Sequence, residues 1–102
     1  MNVYNKLVRD RIPEIIEESG KKCSMRILNE DEYLTALEQK LNEEVAEYQT
    51  DKNIEEMADI LEVLQAICFA KGYSLEELEA ERAKKAEERG GFREKKFLES
   101  VD

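Results

Sequence analysis

Three observations predict an all-α chain folded as an antiparallel helical bundle of about four helices. From Leu34 onward, apolar residues recur at the three- and four-residue spacing that lines one face of a helix. A capping residue opens each long run with glutamate three positions on: Asn29 and Glu32, Asn53 and Glu56, Ser74 and Glu77. Glycine or a short polar turn stops each helix, at Gly20, at Thr50-Asp51-Lys52-Asn53, at Gly72 and at Gly90-Gly91.

The lead-in from Tyr4 to Arg11 mixes apolar and basic residues. A short first helix is expected over roughly Ile12 to Ser19, because Pro13 suits a first turn and Gly20 a stop. Across Lys21 to Leu28, Cys23, Met25 and Ile27 alternate with polar neighbours, a pattern that permits a strand. The tail carries Phe97, Leu98 and Val101, so a short strand pair from residues 21–28 and 92–101 is allowed, with a frayed end as the alternative. The second helix runs from Asn29 to about Thr50, striped by Leu34, Leu37, Leu41, Val45 and Tyr48. Its short connection makes the third helix, about Ile54 to Lys71, its antiparallel neighbour.

That third helix is apolar on two sides. Met57, Ile60, Leu61, Leu64, Ile67 and Cys68 form one face, and Ala58, Val63, Ala66, Phe69 and Ala70 much of the other. A helix apolar on both sides is normally buried on both sides, and in so small a chain the second side is expected to meet another subunit. The fourth helix opens at Ser74 and has a thin stripe of Leu75, Leu78, Ala83 and Ala86.

A chain of 102 residues has room for one modest core, which favours homo-oligomerisation. No stretch is apolar for long enough to span a membrane, and the start lacks a signal-peptide core, so a cytoplasmic location is expected. Cys23 and Cys68 are then reduced thiols rather than a disulfide. The absence of histidine removes His-based triads, zinc sites and imidazole acid–base catalysis, leaving oxygen as the only metal ligand. The net charge of −9 is concentrated between Glu30 and Glu62, where twelve acids face only Lys40 and Lys52. A nucleic-acid backbone would be repelled there, so no nucleic-acid partner is expected.

The acids form two signatures, Glu43-Glu44-x-x-Glu47 and Glu56-x-x-Asp59. At about 100° per residue, Glu44 lies roughly 50° from the centre of the second helix's apolar stripe, Lys40 and Glu47 further round the same flank, and Glu43 nearly opposite. Glu44 with Glu47, and Glu56 with Asp59, are three residues apart and project together. Antiparallel packing would gather these four carboxylates near the connecting turn, and hard oxygen ligands of this kind suit Mg²⁺, with Mn²⁺ as a substitute. Acid-rich helix faces are commonly just solvated, and Glu56 could serve only to cap at Asn53. Against that, Glu44 occupies an apolar position in the series Leu37, Leu41, Glu44, Tyr48, and the acidic faces hold almost no interleaved lysine.

These residues resemble the all-α NTP pyrophosphohydrolase superfamily, which includes MazG, all-α dUTPases and phosphoribosyl-ATP pyrophosphohydrolase. Tyr4-Asn5-Lys6-Leu7-Val8-Arg9-Asp10-Arg11-Ile12-Pro13 and Arg89-Gly90-Gly91-Phe92 are similar to its MazG-related, phosphoribosyl-ATP pyrophosphohydrolase-like branch. The resemblance implies a single MazG-like domain over residues 1–102 and Mg²⁺-dependent hydrolysis of a nucleoside triphosphate to the monophosphate and pyrophosphate. It assigns the metal to Glu44, Glu47, Glu56 and Asp59, and implies a dimer or tetramer. Clearance of non-standard nucleotides is one role of such an enzyme. Glu43 or Glu47 would orient the attacking water.

A triphosphate needs further cations, and Arg82 to Lys96 holds seven bases and three acids. Lys40, Lys85 and Arg89 are the candidate phosphate contacts, with Lys6, Arg9 and Arg11 a second basic group. Lys84 and Lys85 could equally pair with Glu81 and Glu88 one turn away. Gly90-Gly91 is too short to cradle phosphates and is simply a turn. Two alternatives stand beside the hydrolase: a phosphoribosyl-ATP pyrophosphohydrolase of histidine biosynthesis, and a non-catalytic helical module whose third helix binds a partner protein.

Overall fold

The computed structural model describes residues 2–102 and contains four helices: α1, Ile12–Glu18; α2, Glu30–Asp51; α3, Ile54–Ala70; and α4, Leu75–Arg89. Among the described residues there is no strand. The segments 21–28 and 92–101 are irregular, which corrects the strand pair allowed by the alternation in 21–28 and the apolar residues of the tail. The physical reason lies in their surroundings: Met25, Ile27, Leu98 and Val101 are exposed, and Phe97 is 88% exposed, so neither segment has an apolar surface to cover. A lone two-stranded pair without such a surface is marginal.

The helix ends follow local chemistry. Asn29 and Glu32 form a full capping box, with Glu32 N–H donating to Asn29 Oδ1 at 2.9 Å and Asn29 N–H to Glu32 Oε1 at 3.3 Å. Ser74 Oγ accepts from Glu77 N–H at 3.1 Å, while its hydroxyl donates to the Glu77 carboxylate. At the end of α3, Gly72 takes φ 85°, and the N–H groups of Gly72 and Tyr73 close back on the Phe69 and Cys68 carbonyls. That is a Schellman stop, and the positive φ is why glycine stands there.

The tight packing is between α2 and α3; α4 makes limited contact with α3, and α1 stands apart from the other helices. Among the described residues, Leu37, Val63 and Cys68 are the buried apolar ones, and Glu44 and Glu56 are buried beside them. On α2 the inner positions are Leu37, Leu41, Glu44 and Tyr48, as the apolar series predicts. On α3 the inner residues are Glu56, Ile60, Val63, Ile67 and Cys68, while Met57, Leu61 and Leu64 are exposed. The helix is therefore rotated relative to the sequence expectation: Val63 faces the seam, and half of the expected inner face points outward. Two apolar sides leave that rotation undetermined by periodicity alone. The radius of gyration is 18.1 Å, against about 13 Å for a compact chain of this length.

Candidate metal centre

The turn between α2 and α3 decides where the acids go. Lys52 adopts left-handed geometry (φ 55°) and its N–H bonds to the Tyr48 carbonyl at 2.8 Å. Asn53 is extended, and its Oδ1 accepts the Glu56 N–H at 2.9 Å, opening α3. Only these two residues separate the helices, so the last turns of α2 lie against the first turns of α3. Glu44 and Glu47 on one side then meet Glu56 and Asp59 on the other. One carboxylate oxygen from each of the four lies within 4.8 Å of the other three.

Glu44 is 6% exposed and Glu56 9% exposed, and the Oε2 atom of each is buried without a hydrogen-bond partner. Buried polar atoms are nearly always paired, because leaving one unpaired costs about 1–3 kcal/mol. Burial is the main cause pushing the Glu44 carboxyl above the ordinary glutamate range; Glu47 adds to it, and Lys40 offsets only part. Burial also pushes Glu56 upward, helped by the charges of Asp59, Asp51 and Glu44, with Glu47 opposing. Asn53 caps the α3 backbone as a simple helix start requires, yet the Glu56 side chain turns into the cluster instead of back to the cap.

An oxygen-only set of four carboxylates, two of them with buried unpaired oxygens, fits a hard divalent cation. Soft metals would call for thiolate or imidazole. The chain has no histidine, and its two cysteines stand elsewhere: Cys68 Sγ lies against the Tyr73 and Ser74 carbonyls, and Cys23 is exposed beside α1.

Around this cluster the bases are unequal. Lys40 Nζ sits 3.3 Å from Glu44 Oε1 and 3.5 Å from Glu43 Oε2, on the rim where the helical projection places it. Glu43 lies outside the four-carboxylate group and is held between Lys40 and Lys6, whose Nζ is 3.3 Å from Glu43 Oε1. Lys85 and Arg89 are exposed on α4, a helix without close approach to α2, and neither forms an ion pair among the described residues. The expected pairs of Lys84 and Lys85 with Glu88 and Glu81 are absent there too; Arg82 and Glu79 pair instead, at 2.6 Å and 2.8 Å.

Two further basic residues stand at the site, both from the N-terminal basic group. Arg9 Nη2 contacts Asp59 Oδ1 at 2.6 Å, and Lys6 reaches Glu43. Their partners lie 50 and 37 residues away. The clustering of bases in the Tyr4–Pro13 segment was the available signal, but nothing in the sequence specified those partners.

No family model matches the chain, and no solved structure matches it. A protein of Mycolicibacterium smegmatis, described as an uncharacterized protein, is 61% identical over 41 residues, which cover 40% of this chain and 42% of that protein. The chain therefore spans less than half the length of the curated relative it matches, and the likeness brings no activity with it.

Proposed function

We propose that the chain is a Mg²⁺-dependent nucleotide pyrophosphohydrolase, cleaving a nucleoside triphosphate to the monophosphate and pyrophosphate. The observation that carries the reading is the convergence of Glu44, Glu47, Glu56 and Asp59 with buried unpaired oxygens on both helices. These four residues would hold the ion. Mg²⁺ bound there supplies charge neutralisation for the phosphates and acidifies water, the two requirements for hydrolysing a phosphoric anhydride. Glu47, the exposed member of the four, would accept the proton of the attacking water. Glu43 is the alternative base, released when the lysines beside it turn to phosphate. Lys40 is the phosphate contact nearest the cluster, and Lys85 and Arg89 belong to the same reading only if α4 or a second copy brings them in. Removal of non-standard nucleotides is the role that fits a site defined by its phosphate chemistry.

The test is pyrophosphate release across a panel of nucleoside triphosphates, with phosphoribosyl-ATP included to expose a dedicated biosynthetic substrate. Loss of a metal-supporting group typically lowers activity about 10- to 100-fold, and Glu47→Ala and Asp59→Ala, which remove ligands outright, are expected to lose at least that while staying folded. Wild-type rates in both variants would remove the hydrolase reading and leave the non-catalytic helical module.

Self-association belongs to the same proposal. Ile54, Met57, Leu61 and Leu64 expose apolar surface along α3, and the chain by itself encloses little interior. A second copy offers the same face, as a two-fold contact requires. Sedimentation at micromolar concentration should give a dimer or tetramer; a monomer throughout would refute it.

A further inference from the structure

Among the described residues, only two side-chain hydrogen bonds join groups more than ten positions apart, and both run from the N-terminal segment to the carboxylate site. Lys6 reaches Glu43 on α2, and Arg9 reaches Asp59 on α3. The segment thus crosses the acidic end of the hairpin and lays a cation on each helix. The Arg9 carbonyl accepts the Ile12 N–H at 3.0 Å, which joins its backbone to the start of α1, and the Lys6–Glu43 pair holds the same segment against α2. The Arg9 side chain is nevertheless 56% exposed, and Asp59 is only partly covered.

Those facts set the strength of the contact. A pair this open contributes about 0–1 kcal/mol, so a divalent ion shared by four carboxylates displaces it readily. Once displaced, the guanidinium is kept near the mouth of the site by the Lys6–Glu43 pair three residues before it. Its planar fork of donors matches two oxygens of a phosphate.

We propose that Arg9 has two successive partners: it closes the cluster through Asp59 while no divalent ion is bound, and engages a substrate phosphate once the ion has taken that carboxylate. The inference rests on the metal-site reading above and adds a residue and a partner exchange to it. Arg9 then offsets part of the acids' charge until an ion arrives and contributes to recognition of the phosphate chain.

The test uses the full chain, Mn²⁺ followed by electron paramagnetic resonance, and preformed Mn²⁺–tripolyphosphate followed by calorimetry. Arg9→Gln should bind Mn²⁺ alone about two- to fivefold more tightly, the equivalent of an exposed ion pair. It should bind Mn²⁺–tripolyphosphate about tenfold more weakly, the equivalent of a lost charge-assisted hydrogen bond. Arg9→Lys keeps the charge and should restore the Mn²⁺ affinity of the wild type. Opposite shifts for the two probes cannot come from damage to the fold, which would weaken both. Saturable Mn²⁺ binding in the wild type with no tightening in Arg9→Gln, or with unchanged tripolyphosphate binding, overturns the role of Arg9 alone. No saturable Mn²⁺ binding in the wild type overturns the metal site itself, and this inference with it.

Discussion

Away from the turn, the seam between α2 and α3 is closed by Leu37, Val63 and Cys68; beside the turn, it is closed by Glu44 and Glu56. Both halves are α-helical, so the difference lies in the side chains. Burying a leucine or valine contributes about 1.5–3 kcal/mol. Burying a carboxylate costs free energy unless a cation or a proton accompanies it. The far half therefore holds the hairpin together, and the near half gives up part of that stability to keep two carboxylates buried.

The far half breaks more easily. Leu37 is 3% exposed and sits where α2 meets the C-terminal part of α3. Truncation of a buried leucine costs about 2–5 kcal/mol. In a chain with so few buried apolar residues, Leu37→Ala should remove most of the cooperative unfolding transition in urea. A midpoint close to that of the wild type would mean that the hairpin is held by something other than this seam.

The division between the halves is partly legible in the amino-acid sequence. Glu44 is visible as an acid standing in an apolar series, because the stripe of α2 is narrow and has one clear centre. Glu56 is ambiguous, since position three of a helix opened by asparagine is where a capping glutamate belongs; only its side-chain direction separates the two roles. Val63 could not be placed, because α3 is apolar on both sides and its rotation is set by α2 rather than by its own pattern. The Arg9–Asp59 contact joins residues 50 positions apart with no turn or pairing rule between them. The alternation of Cys23, Met25 and Ile27 reports a capacity to form a strand, and that capacity needs a partner surface which the described residues do not supply.

The near half yields a smaller effect of opposite sign. Glu44→Gln keeps the shape and removes the buried charge, so in EDTA at neutral pH the variant should be more stable than the wild type by about 1–2 kcal/mol. The same conclusion follows from proton linkage. The folded protein holds the Glu44 and Glu56 protons more tightly than the unfolded chain, whose ordinary value is 4.5. Their contribution is therefore fully present below that value and is lost as pH rises through the raised folded-state values. Ion-free wild type should lose stability across that interval, whereas most paired carboxylates add stability as pH rises. Glu44→Gln should show a shallower loss, because Glu44 no longer titrates and no longer presses on Glu56. Saturating Mg²⁺ should reverse the ranking at neutral pH: it stabilises the wild type through the four carboxylates and gives the variant less. Thermal melts in EDTA and in Mg²⁺, at several pH values between 4 and 8, check all three statements. A Glu44→Gln variant less stable than the wild type in EDTA would show that Lys40 satisfies this carboxylate, and that the near half of the seam carries no unmet demand for an ion.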